Sequence, residues 1–304
     1  MQPDINLALK KSSLITPFFV TSGNSREISL KLLPEARAFS VDKALKAAEL
    51  LQTAGLSSIA LFEYGAEKDS TGSMAFNASS AVTRTASLLR REFPGLFIIS
   101  DLCFCQYTSH GECGVLNGTA VDNDESLKLA GRLAIQYCEA GVHALMPSGM
   151  LDGAAHYIRS LLNDRGYTDV SIFNQTAKFA SSLFGPFRRA AQSHETQPCK
   201  SSYQIGIGCR AQAMKQIEID QCSGADVALI KPAIFNLDII SSASESFELP
   251  LAAFCTSGEH ALYFANGCDD EALRSFIFAL ERVMRAGAGS IFTYAAPYIA
   301  RYLQ

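Results

Sequence analysis

Eight short apolar, β-rich runs recur along the 304-residue chain, separated by longer segments with helical spacing of apolar residues. The runs are LITPFFV (14–20), SIALFE (58–63), LFIIS (96–100), HALMP (143–147), VSIFN (170–174), VALIK (227–231), LAAFC (251–255) and SIFTY (290–294). Strands alternating with helices pair in parallel through right-handed crossovers. Eight such units in this length fit a closed (β/α)8 TIM barrel better than an open sheet, which more often stops at roughly five to seven strands. The intervening segments carry helix start and stop signals: SVDKALKAAELLQTAG offers Ser40 as N-cap and Gly55 as stop, and NDESLKLAGRLAIQYCEAG and DEALRSFIFALERVMRAGAG repeat the grammar. With no Pro/Gly/Ser-rich linker and no internal repeat, the sequence predicts an α/β chain with a short arm over 1–13 and a single barrel domain over 14–304.

Charge and composition then exclude some partners. A formal net charge of -4, with basic residues scattered, provides no footprint for nucleic acid or a membrane surface, which leaves small-molecule chemistry. No apolar run reaches the ~18 residues of a membrane span, and lysines interrupt the apolar part of MQPDINLALKKSSLITPFF instead of preceding it, unlike a secretory signal. The expectation is a cytoplasmic protein. Nine cysteines, an odd number, point to free thiols or metal ligands rather than a disulfide framework. Cys138, Cys199, Cys209, Cys222, Cys255 and Cys268 are isolated and read as small buried hydrophobes.

In such a barrel, chemistry sits at the C-terminal strand ends. There the sequence places Asp101, Cys103 and Cys105 (third strand), Ser148 (fourth), Lys178 (fifth), Lys231 (sixth), Ser257 (seventh) and Tyr294 (eighth). A lysine ending a buried strand is costly to desolvate, and burial favours the neutral amine that attacks a ketone to form a Schiff base. The alternative is a lysine snorkelling at the rim. Two on adjacent strands favour the first reading, because each ammonium disfavours the charged form of the other.

DLCFCQYTSHGEC spaces Cys103, Cys105 and Cys113 as C-x-C-x7-C. Three buried small residues would satisfy this pattern, and so would a catalytic zinc with three thiolate ligands and its fourth position left to water or substrate. His110 and Glu112, in the same loop, stand within reach of a metal or its water.

The motifs DLCFCQYTSHGECG, PSGMLDG, AKFASSLFGPFR, ALIKPAIFNLDII and TSGEHA, in this order and spacing, resemble the porphobilinogen synthase (5-aminolevulinate dehydratase) family over 14–302. The resemblance implies a (β/α)8 barrel that condenses two molecules of 5-aminolevulinate into porphobilinogen. It implies Lys231 as the main Schiff-base residue, Lys178 as the second, Asp101 as a catalytic carboxylate, and Cys103, Cys105 and Cys113 as ligands of Zn2+. It further implies that Ser257 and Tyr294 hold one substrate carboxylate and Arg188 and Gln204 the other, with Ser148 and Lys200 also at the substrate. The expected partners are an amino-ketone substrate and further copies of the chain, in a dimer or larger; the short arm argues against an octamer.

Several positions depart from the family pattern. Gly149 replaces an aspartate, Ala154 an arginine, Phe184 and Phe254 tyrosines, and Glu112 a histidine, while Lys200 and Ser201 replace two basic residues before YQ. These changes leave room for a diverged paralogue acting on a different amino ketone, or for a non-catalytic binding protein on the same barrel.

Overall fold

The computed structural model describes residues 8–30, 33–190, 200 and 202–303. All eight predicted runs form the barrel: β1 (Leu14–Thr21), β2 (Ser58–Glu63), β3 (Phe97–Leu102), β4 (Ala144–Pro147), β5 (Ser171–Lys178), β6 (Val227–Lys231), β7 (Leu251–Phe254) and β8 (Ser290–Phe292). Every neighbouring pair is parallel. The barrel closes where Leu14 pairs with Ile291 and Ile15 with Phe292.

Alternation along each strand sorts the core into two layers. Ile15, Phe19, Ala60, Phe62, Ile99, Met146, Leu229, Phe254 and Phe292 point into the barrel. Leu14, Val20, Ile59, Leu61, Ile98, Leu145, Ile172 and Ile230 point out against the helices. Each such Leu, Ile or Phe removed from water contributes about 1.5–3 kcal/mol.

Side-chain caps start some helices but not others: Ser40 holds the N-cap position of α1 (Val41–Thr53), yet its hydroxyl bonds Arg26 and Asp42 instead of the first-turn N–H groups. Gly55 follows α1 with φ +84°. After α2 (Ala81–Glu92), α3 (Asn123–Glu139) starts where the Asp122 carboxylate accepts the Glu125 N–H, and α4 (Ala154–Asp164) follows β4. Then come α5 (Gly185–Ala190), α6 (Arg210–Cys222), α7 (Leu237–Ser246), α8 (Ser257–Tyr263), α9 (Asp270–Arg285), capped by Asp269, and α10 (Ala296–Tyr302). Among the described residues no helix is long and apolar enough to cross a membrane.

The sequence did not announce a hairpin, Glu27–Leu30 with Leu33–Ser40, whose second strand pairs in parallel with the far end of β1. It continues the sheet beside β1 where the three-residue β8 has ended. Of the arm, residues 1–7 lie outside the described residues, as do Cys199 and Ser201; Ala8 and Leu9 donate their N–H groups to the Glu281 carboxylate on α9. Cys138 and Cys255 are buried as expected, but Cys209 and Cys222 are exposed, because they stand at the N-cap and last residue of α6.

Candidate active site

Strand register brings the two lysines together: Lys231 ends β6, Lys178 ends β5, and they are paired partners. Val227 pairs with Phe173, so β5 takes five steps to Lys178 while β6 takes four to Lys231. The extra residue is a β-bulge opposite Ala228–Ile230. In a regular strand Lys178 would face the helices; the bulge returns it to the barrel. Behind the bulge, Asp220 of α6 accepts hydrogen bonds from Asn174 Nδ2 (2.5 Å) and Gln216 Nε2 (3.0 Å).

The lysines have different surroundings. Lys178 Nζ donates to the Ser148 carbonyl at 2.6 Å. Lys231 Nζ lies 3.6 Å from the Phe254 ring centroid and 5.4 Å from that of Phe184. Burial first, and the Lys178 charge second, push the Lys231 amine down to about 7, with Asp101 offsetting part of the effect. Asp101, at the end of β3, accepts from Gln106 Nε2 at 2.9 Å, and burial raises its carboxyl to about 6.

Cys103, Cys105 and Cys113 converge so that their sulfurs all lie within 4.8 Å of one another, a cluster that could hold a metal ion. Cys103 Sγ lies 3.4 Å from Cys105 Sγ. Hydrogen bonds from Cys103 and Cys105 hold the Cys113 thiol well below its ordinary value, and Lys200 reinforces them. The other two thiols are raised: Cys103 by hydrogen bonding to Cys105 and Cys113, and Cys105, although its bond with Cys103 works the other way, to about 11 by Cys113 and burial.

Around these groups a single cavity is lined by Asp101, the three cysteines, Ser148, Lys178, Arg188, Lys200, Gln204, Lys231 and Tyr294. Most of the sequence-predicted site residues therefore meet. Gln204 is buried with neither amide atom hydrogen-bonded among the described residues, and the same holds for Gln175 Oε1. A buried polar group left unpaired costs about 1–3 kcal/mol, so a polar ligand is the natural partner for these amides. Arg188 is buried with its guanidinium 5.3 Å from the Phe184 centroid.

Other predicted residues are placed differently. Ser257 is outside the lining; its hydroxyl accepts from the Phe187 N–H (2.9 Å) and donates to the Leu183 carbonyl (3.3 Å), fixing the turn that carries Phe184 and Arg188. Next to it, a Cβ on Gly258 would come within 2.5 Å of Leu183 Cα, so only glycine allows this approach. His110 turns away from the thiols to the Ser70 carbonyl (3.1 Å). Glu112 accepts from the Tyr203 hydroxyl at 2.5 Å. Gly149 and Ala154 border a small apolar space behind Cys113, with Leu102, Phe104 and Leu151, and do not line the main cavity.

Sequence reasoning missed Gln106, Gln175, Phe62 and Phe187 as site residues. Gln106 lay inside the cysteine motif and Phe187 beside Arg188; Gln175 and Phe62 carried no signal beyond strand alternation. It also passed over Glu259, although T-S-G-E is a capping-box pattern. Its carboxylate accepts the N–H groups of Thr256 (2.5 Å), Ala233 (3.3 Å) and Ile234 (2.6 Å), tying the turn after Lys231 to the start of α8.

Fold and cavity define an enzyme of the (β/α)8-barrel class, with its polar groups gathered at the C-terminal mouth. The family model described as delta-aminolevulinic acid dehydratase matches residues 5–302. A delta-aminolevulinic acid dehydratase of Archaeoglobus fulgidus is 36% identical over 300 residues, covering 97% of this chain and 92% of the relative. One from Chlamydia pneumoniae is 37% identical over 301 residues, covering 97% and 90%. The crystal structure of delta-aminolevulinic acid dehydratase (porphobilinogen synthase) from Toxoplasma gondii, in complex with the reaction product porphobilinogen, superposes with a TM-score of 0.93 at 29% identity, covering 98% of this chain and 87% of that one. A 7,8-dihydropteroate synthase from Vibrio fischeri, 15% identical with a TM-score of 0.51, shares the fold alone. This chain belongs to the delta-aminolevulinic acid dehydratase family, a family of hydro-lyases.

Proposed function

We propose that the chain joins two molecules of 5-aminolevulinate into porphobilinogen with loss of two waters, each substrate held as an imine, the main one on Lys231 and the second on Lys178. The observation that carries this reading is the register-paired lysines at the floor of one cavity, with the Lys231 amine poised near 7. At neutral pH a substantial share of Lys231 is the free amine that attacks a ketone. The Asp101 carboxyl, at about 6, holds or releases a proton beside both amines. Arg188 and Gln204 take one substrate carboxylate. Tyr294 and Ser257 take the other, for which Ser257 trades its bond to the Leu183 carbonyl.

Cys103, Cys105 and Cys113 would hold the metal, and their soft sulfur set suits zinc, which when bound supplies Lewis-acid polarisation of a substrate oxygen. Metal analysis checks this: about one zinc per chain is expected in protein purified without chelator. The described cysteines are free thiols, which supports a reducing, cytoplasmic setting. Exposed Phe235, Leu262 and Phe278 support a homo-oligomer.

The test is incubation of the purified, zinc-supplemented chain with 5-aminolevulinate, followed by product mass measurement and borohydride reduction. The expected result is porphobilinogen, together with a reduced adduct on the peptide bearing Lys231. A zinc-loaded protein that yields neither would sink the reading, and a different condensation product would point to another amino ketone.

A further inference from the structure

Lys200 was expected to reach substrate, yet its ammonium is committed elsewhere. It is 6% exposed, donates to the Gly111 carbonyl at 2.6 Å and to Cys113 Sγ at 3.2 Å, and lies 3.8 Å from Glu112 Oε2. An ammonium has three donors and is costly to bury unpaired, so these contacts define its place. Three residues on, the Tyr203 hydroxyl donates to the same Glu112 carboxylate. Two further on, Ile205 pairs with the end of β5: its N–H donates to the Lys178 carbonyl (3.0 Å), and its carbonyl accepts from the Ala180 N–H (2.8 Å). Residues 202–206 thus form a strap with Lys200 and Tyr203 anchored on the cysteine loop and Ile205 on the strand end of Lys178.

We propose that Lys200 is a positioning residue of the metal site, donating a hydrogen bond to the Cys113 sulfur from outside the three-thiol cluster, so that metal loading and seating of the strap reinforce each other. The proposal rests on the reading of Cys103, Cys105 and Cys113 as metal ligands. The charge balance favours it. Three thiolates around a divalent cation leave one net negative charge, and Glu112 adds another nearby; a buried ammonium donating to one sulfur offsets part of both. A neutral side chain at position 200 would leave that charge uncompensated. Hydrogen-bonding partners of metal ligands tune the metal in this way, and their removal typically costs 10–100-fold in affinity.

The test compares the full-length wild type with Lys200→Met and Lys200→Arg. Zinc affinity is measured by competition with a chromogenic chelator, and cobalt is substituted to read the sulfur-to-metal charge-transfer band. Lys200→Met is expected to weaken zinc binding about 10–100-fold and to shift the band, and Lys200→Arg, which keeps a cationic donor, to recover most of the affinity. In the wild type alone, zinc should slow amide exchange at Gln204 and Ile205, a readout that needs no variant to fold. Equal zinc affinity and an unchanged band in Lys200→Met would overturn the proposal, as would exchange in the wild type that ignores zinc. If the wild type takes up neither ion, the metal reading of the cysteines falls and the proposal with it. Uptake that is the same with and without Lys200 removes the proposal alone.

Discussion

Lys231 and Lys178 are register partners on neighbouring strands, and their surroundings differ. Lys231 ends a strand of even alternation and faces aromatic rings, with Phe254 3.6 Å away. Lys178 ends a bulged strand and donates to a backbone carbonyl. Burial and the Lys178 charge leave the Lys231 amine easily neutral, the ring beneath it holding part of the charged form, whereas an amine donating at 2.6 Å to a carbonyl has a fixed role for its proton. The pair teaches that register-paired lysines acquire different chemistry through what each side chain meets. On the proposed reading, the main covalent role falls to Lys231.

The largest effect should come from Lys231→Met. Turnover is expected to fall by roughly 10⁴-fold or more, the scale on which loss of a covalent nucleophile registers, and borohydride trapping on that peptide should vanish. A variant that still turns over would reverse the assignment of the two lysines.

Next is the coupling between them, read through pH. With Lys231 near 7, trapping at saturating 5-aminolevulinate should rise about tenfold from pH 6 to pH 8 as the ammonium loses its proton. Lys178→Met removes a like charge, so the Lys231 ammonium becomes easier to keep and the profile should move to higher pH. Trapping should persist while porphobilinogen formation is lost. A profile that stays in place would mean that the two charges do not interact.

The bulge is probed from outside the cavity. Asp220→Leu removes the acceptor of Asn174 and Gln216. It should cost about 1–3 kcal/mol in thermal or denaturant unfolding, and slow product formation more than it slows trapping on Lys231. Equal losses in both would show that Asp220 supports the barrel as a whole and not the aim of Lys178.

The smallest effect is expected for Phe254→Leu. Losing the ring beneath the ammonium forfeits about 0.5–1 kcal/mol for the charged form. The free-amine fraction at pH 6 should therefore rise about two- to fourfold, measured by the same trapping assay. A shift to higher pH would show that the ring acts chiefly by burying the amine.

The sequence by itself determined the eight strands and their order, the start of α1 after Ser40 and its stop at Gly55, the extents of α3 and α9, and the placement of Lys231, Lys178 and the cysteine loop at one end of the barrel. These follow from patterns local to a few residues: short apolar runs separated by helical spacing, start and stop signals around a helix, and the parallel crossover rule that puts all strand ends on one face. The tertiary structure alone decided that β5 carries a bulge, since an extra residue shows only against the strand it pairs with. It turned His110 to Ser70 and Ser257 to the 183–187 turn. It drew Lys200 to Cys113 across 87 positions of chain. A buried polar group takes the partner that packing brings to it, and packing between distant segments is not written in the spacing of either one.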